Sequence, residues 1–486
     1  MLETARKETS SSSNIFSRSF RKVSNAPKGG LLGKIQRAFA NKDIRNRILF
    51  TVFMILIFRL LSAVPLPGID PEVFSNFFGG TPFNNIFTVV TGGRLDNPSI
   101  VAIGLASYIN ASIVIQLLTT VIPAWEEMQK EGERERQKLN QYTRILAVPL
   151  TILQGFVIYT VLKNTSSIAS LLTNTTTLDV VTMIAALTGG TMLLMWISEL
   201  ISESGIGNGS SVIIMSGILG VLPSFLIQDF NVLKQNANFV FEGKFEALLS
   251  KEMFVIYAIF GGLLLLIFGI VFMTEATRKV TIQYARRVRG AQSGLQNTFL
   301  PIKLNQAGVM PVIFASSILI VPQILAQFIT STAKSGALFD FATKVSSSFI
   351  SDYTSIGYNA VYFIAIIGFS FFYTFVVLNP TNTADNLKKS GGFIPGIRPG
   401  TSTVSYLTSL MIRLTVVGGI FLAAVALAPT FIRQLATSQF GQIGASSLNI
   451  FSGIGGTSLL ILVGVILDTR RQLQSMAVTR SYEHYK

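Results

Sequence analysis

The sequence predicts an all-α polytopic membrane protein with ten transmembrane helices, and three observations predict it. The chain is 49% hydrophobic but only 13% charged, where soluble domains carry about 25% charged residues. Its mean hydropathy is +0.53. Its apolar residues are gathered into long runs, most of them near the roughly 20 residues a helix needs to cross the hydrocarbon core. The ten runs cover about 48–64, 100–122, 146–162, 179–197, 211–227, 253–274, 308–328, 360–378, 409–430 and 454–468.

The distribution of basic residues orients these spans. If Arg413 is counted with the loop before it, 30 of the 39 Lys and Arg residues lie on one side, in the N-terminal segment, the even-numbered loops and the C-terminal tail. By the positive-inside rule that side is cytoplasmic, with both termini there. The net charge of +15 is therefore read as topology and membrane-side partners. Residues 1–47 form a basic, Ser-rich cytoplasmic extension without the apolar core of a signal peptide. Spans one to five fall within 48–230 and spans six to ten within 231–470, followed by a tail at 471–486.

The second span has a polar stripe. Ser112, Gln116, Thr119 and Thr120 follow helical spacing and share a face, with Ile109 and Ile113 beside them. Such a face serves either as hydroxyl and amide glue between packed helices or as the lining of an inward path. The first outer loop carries a short apolar patch, Asn85 to Thr91, before Gly92 and Gly93. It is too short to span and suits an interfacial or re-entrant segment. Two basic loops stand on the cytoplasmic side. Residues 278–303 alternate apolar and charged near their start. Residues 379–400 are dense in Gly and Pro and are expected to form a structured, turn-rich loop with no helix.

The chemistry carried by the chain is sparse. It has no cysteine and one histidine, His484, which removes thiolate chemistry, Cys/His zinc sites and a histidine relay. Arg59, Glu275, Arg413 and Asp468 lie towards span ends, so no acidic or basic residue sits near a span centre, where ion-coupled transporters place them. Glu199 and Glu203 lie one turn apart and fit a helix-end cluster better than a catalytic pair. No phosphate-binding loop, metal set or nucleophile with its base is present. The chain is not expected to be an enzyme or to hold a cofactor or metal. A path without its own energy source remains, with a secondary transporter of a small solute as the alternative.

Five stretches identify a family. Gln129–Arg144 (QKEGERERQKLNQYTR), Gly205–Ile214 (GIGNGSSVII), Asn305–Ser317 (NQAGVMPVIFASS), Ala384–Gly400 (ADNLKKSGGFIPGIRPG) and Gly455–Asp468 (GGTSLLILVGVILD) resemble signature segments of the SecY family. That family supplies the channel subunit of the bacterial protein translocon. The resemblance implies two inverted five-helix halves arranged as a clamshell, forming a passive, gated channel. Through it, unfolded chains with signal sequences are secreted and helices inserted laterally. Carried over by motif, the pore ring is Ile109, Ile113, Ser210, Ile214, Ile313 and Ile461, with Ser210 a departure from the apolar pattern that Val309 could offset. The plug falls at about 84–95. The lateral gate lies between spans two and three and spans seven and eight, with Gln116 and Asn305 as an amide pair in its seam. The docking surface for the motor ATPase SecA and for ribosomes falls on residues 278–303 and 379–408. Its implied residues are Arg278, Arg286, Arg287, Arg289, Lys388, Lys389 and Arg398. Ala291 and Gln292 stand where the family is usually more basic. The other implied partners are SecE-like and SecG-like small subunits, signal sequences, unfolded substrates and membrane lipids. The implied location is the bacterial cytoplasmic membrane in preference to a thylakoid.

Overall fold

The computed structural model describes residues 42–67, 99–164, 176–220, 222–223, 227, 251–284, 298–332, 336, 339–340, 342–344, 356–377, 379–446 and 455–483. A helix stands at each of the ten predicted spans. They are α1 (Lys42–Ala63), α2 (Ala106–Val121), α4 (Glu133–Asn164), α5 (Thr177–Ser204), α6 (Gly209–Gly220), α7 (Lys251–Glu275), α8 (Met310–Thr332), α9 (Ile356–Val377), α11 (Thr401–Ser446) and α12 (Gly456–Glu483). Among the described residues, five helices are long and apolar enough to cross a membrane alone, and six if a bent pair counts as one span. The bent pair is α2 with α3 (Pro123–Glu131), which meet at 107°. Pro123 sets the bend: it holds Ile122 extended (φ −96°, ψ 111°) and opens the next helix at its first turn.

The helices pack in two sets. In the first, α2 lies on α4, α4 on α5, and α5 on α1. In the second, α9 and α12 both lie on α11, and α7 lies against α11 and α12. The sets meet where α8 packs against α2 and α4. Each set has its own buried cluster, one spread over α7, α8, α9, α11 and α12, the other over α1, α2, α5 and α6 with residues of α8 and α12 reaching in.

The chain departs from the sequence expectations in several places. Span two was expected to be helical from Ile100, but the helix starts at Ala106. Residues 99–105 instead form turns, and the Ile100 N–H donates to the Val64 carbonyl (3.1 Å) at the end of α1. The Ile100 carbonyl presses so closely on Gly190 of α5 that a Cβ there would collide with it. Gly104 closes the turn at φ +60°. The segment after span eight, expected to lack helix, contains α10 (Pro380–Lys389). Its Pro opens a helix instead of breaking one, because Asn379 caps it by accepting from the N–H groups of Thr381 and Asn382. The tail expected at 471–486 continues α12 as helix to Glu483.

A small sheet accompanies the helices on the basic face. Strand β1 (Thr277–Tyr284) pairs antiparallel with β2 (Thr298–Lys303), and its far end pairs with β3 (Gly392–Phe393), giving the order β2-β1-β3. The apolar/charged alternation of the first basic loop becomes a strand with Val280 and Ile282 buried. Val280, Ile302, Ala384, Ile394 and Leu407 form a separate core beneath the sheet. The two basic loops, about 100 residues apart in sequence, are thus one folded unit.

Candidate functional site

Five of the six residues assigned to the ring come together. Ile109 and Ile113 from α2, Ile214 from α6, Ile313 from α8 and Ile461 from α12 belong to one buried cluster. None is more than 8% exposed, so all five side chains are buried. Two close approaches set the surrounding helices. Gly464 admits Val309 of the α8 lead-in against α12, where a Cβ would lie 2.7 Å from the valine Cγ1. Phe314 stands edge-on to Phe369 (6.1 Å) and Tyr373 (5.8 Å) of α9, locking α8 to α9.

Ser210 is not in that cluster. It lies in the first turn of α6, where its hydroxyl donates to the Asn208 side-chain oxygen (2.6 Å), and that same oxygen accepts the Ser210 N–H (3.1 Å). The serine follows a capping residue whose job is to start the helix that carries Ile214. Val309 packs against the cluster.

The polar stripe of α2 is spent on its own helix. Thr119 and Thr120 both donate to the Gln116 carbonyl (2.7 and 3.1 Å), and the Gln116 amide donates to Ser112 (3.2 Å). The Gln116 side-chain oxygen is buried and has no partner. Asn305, expected to pair with it, instead donates to the Gly308 carbonyl (3.0 Å) and closes the turn that starts α8. The polar links between helices of the first set involve residues to which the sequence assigned no such role. Ser107 of α2 donates to Gln154 of α4 (2.6 Å, both buried), and Arg59 of α1 donates to the Ser216 carbonyl of α6. Glu199, read as a helix-end acid, is ion-paired with Arg144 of α4 at 2.6 Å. In the second set, Arg471 donates to the Thr274 carbonyl (2.9 Å) and Arg470 pairs with Glu275 (3.1 Å), binding α12 to α7. A link between the sets is the Gly207 N–H, which donates to Gln472 of α12 (2.6 Å).

The basic-face unit displays its cations outward. Arg278 on β1, Lys388 and Lys389 in the last turn of α10, and Arg398 in the turn before α11 are all exposed. Arg286, Arg287 and Arg289, like the plug at about 84–95, lie outside the described residues. Lys303, at the end of β2, is different. Burial and the nearby Arg471 hold its ammonium below the usual lysine range, and Asp468 offsets this in part.

A two-set helical fold with a buried aliphatic cluster at its centre and a basic sheet unit on one face is an arrangement that known proteins share. The family model described as SecY matches residues 99–470. The chain belongs to the SecY family. Among SecY-family relatives, the protein translocase subunit SecY of a Synechocystis species is 38% identical over 442 residues, covering 90% of this chain and 93% of the relative. The Mycobacterium tuberculosis subunit is 36% identical over 455 residues, covering 91% and 97%. Of the solved structures, a protein-conducting channel aligns with a TM-score of 0.59 at 16% identity, covering 89% of this chain and 92% of the other. Sec61 from a canine ribosome–channel complex aligns with a TM-score of 0.57 at 16% identity and the same coverage. These likenesses identify the SecY fold.

The local bonding of the Gln116 and Asn305 amides predicts opposite effects. Gln116→Leu removes a buried, unpartnered oxygen and should stabilise the purified protein by about 1 kcal/mol. Asn305→Leu strips the Gly308 carbonyl and should destabilise it by about the same amount. Because the two amides share no bond, the double variant should be additive within about 0.5 kcal/mol by thermal unfolding. A larger coupling would mean that the amides act directly on each other.

Proposed function

We propose that Ile109, Ile113, Ile214, Ile313 and Ile461 form the constriction of a passive channel and that the chain is the pore-forming subunit of the Sec translocon. The observation that carries this reading is that five aliphatic side chains, from positions as distant as 109 and 461, are buried together on four helices of both sets. Branched apolar groups around a narrow passage exclude water when it is empty, so ions face a steep barrier, yet they yield to a polypeptide of any sequence. A solute transporter would need polar groups convergent at that depth.

In this reading the seam of α8 against α2 and α4 is the lateral gate, through which signal sequences and membrane segments leave for lipid. Gln116 and Asn305 tune its closure from within their own helices. The exposed Arg278, Lys388, Lys389 and Arg398, together with Arg286, Arg287 and Arg289, receive the SecA motor and the ribosome. Ser210 belongs to the ring's border. SecE-like and SecG-like subunits complete the complex. The chain lies in the bacterial cytoplasmic membrane with its basic face and both termini in the cytoplasm, as charge asymmetry favours.

Two experiments test this. Ile461→Asn sets an amide into the dry constriction and should raise the ion conductance of purified channels in planar bilayers at least severalfold. It should also rescue export of a reporter with a defective signal sequence, since the closed state loses stability relative to the open one. Reduced protein abundance with unchanged conductance would instead mark Ile461 as an ordinary core residue. The docking role predicts that Arg398→Glu inserts and folds normally yet reduces motor-driven export at least tenfold in a strain depleted of the native subunit, by reversing charge at a partner surface. Unchanged export would remove Arg398 from that surface.

A further inference from the structure

The loop between α5 and α6, residues 205–208, is gripped from several sides. The Ile206 N–H donates to the Thr51 hydroxyl of α1 (3.0 Å), and Arg47 of α1 donates to the Gly205 carbonyl (3.4 Å). The Gly209 N–H donates to Ser202 of α5 (2.9 Å), and the Asn208 side chain accepts the Ser210 N–H (3.1 Å). Each of these bonds stays within the first set and α6. The Gly207 N–H is different, because its acceptor, the Gln472 side chain at 2.6 Å, belongs to α12 of the second set.

The contact is close at a second point. Gly207 stands at φ +90°, a conformation that favours glycine. A Cβ there would lie 3.2 Å from the hydroxyl of Thr469, which precedes Gln472 by one helical turn. The loop therefore seats on two successive positions of one face of α12. That face leads inward to the ring, because Ile461, Val465, Thr469 and Gln472 follow helical spacing. Ile461 and Val465 lie in the buried cluster with Ile214 of α6. The neighbours of Gln472 face the other way: Arg470 pairs with Glu275 (3.1 Å) and Arg471 donates to the Thr274 carbonyl (2.9 Å), both on α7. Gly207, Thr469 and Gln472 are half-buried, so water reaches this contact once it separates.

We propose that Gln472 is a positioning residue for gating, whose bond to Gly207 clips the start of α6 to α12 and so keeps Ile214 closed on Ile461. The proposal rests on the reading of these isoleucines as a channel constriction. Parting α6 from α12 exchanges the Gly207 bond for one to water, whereas the bonds to Thr51 and Ser202 stay made. The clip thereby biases the channel towards its closed state and sets how strong a signal sequence must be to open it.

The test measures ion conductance of the purified assembled complex in planar bilayers and, in cells, export of a reporter with a defective signal sequence. Ile461→Asn, which alters the ring directly, is the reference. Gln472→Leu should raise resting conductance at least threefold and reporter export at least tenfold. Gln472→Glu keeps an acceptor oxygen at the same reach and should stay at the wild-type level in both. Thr51→Val removes an acceptor of the same loop inside the first set, so it should lower the thermal midpoint without raising conductance. Unchanged conductance in Gln472→Leu beside a rise in Ile461→Asn would overturn the clip and leave the constriction standing. No rise in either would remove the constriction, and the clip with it. Equal rises in Thr51→Val and Gln472→Leu would also overturn the proposal, since any loosening of the loop would then suffice. A second measurement depends on no variant. With a secretory chain arrested in the wild-type complex, hydrogen exchange at the Gly207 N–H should accelerate at least tenfold over the resting complex, while the Ile206 N–H stays slow. Equal protection of Gly207 in the two states would overturn the proposal.

Discussion

Everything else in this fold depends on a dry contact among isoleucines that are distant in sequence. Ile109, Ile113, Ile214, Ile313 and Ile461 close on one another from four helices, and no polar group among them fixes the arrangement. Burial of a large aliphatic side chain is worth roughly 1.5–3 kcal/mol against water, so five together contribute substantially to holding the cluster closed. The same contacts are non-directional. In the proposed channel a passing chain would replace them with its own side chains at modest cost, which a ring held by hydrogen bonds would not allow without breaking each bond.

The polar bonds lie elsewhere, and their placement separates what is rigid from what can part. Ser107 with Gln154, Arg144 with Glu199 and Arg59 with the Ser216 carbonyl bind helices within the first set. Arg470 and Arg471 bind α12 to α7 within the second. Directional bonds hold helices together inside each set, whereas Gln116 and Asn305, on elements at the meeting of the sets, spend their amides locally. The link from Gly207 to Gln472 joins the sets through the loop that starts α6, and so ties the helix of Ile214 to the helix of Ile461.

The sequence made much of this legible because apolar length and basic asymmetry act locally. Each span needed only its own residues to be recognised, and five of the six positions carried over by motif lie in one buried cluster. What it hid was non-local. Ile100 reads as helix until the Val64 carbonyl and Gly190 compete for its backbone. Pro380 reads as a breaker until Asn379 caps the turn ahead of it. Strand β3 is two residues long and exists only because β1 offers an edge to Gly392 and Phe393. The amide pair expected between Gln116 and Asn305 failed for a similar reason, since each found a partner within a few residues of itself.

The chain has no cysteine, so a single introduced thiol is unique, and this permits the most direct test of the central claim. A secretory chain arrested midway and carrying one cysteine at successive positions should form disulfides with Ile113→Cys, Ile214→Cys, Ile313→Cys and Ile461→Cys. The account predicts that all four react best with the same short segment of the arrested chain, because they occupy one depth around one passage. Phe268→Cys, on the exposed face of α7, should not react. Cross-links spread over widely separated substrate positions, or absent at all four while export proceeds, would contradict a shared constriction.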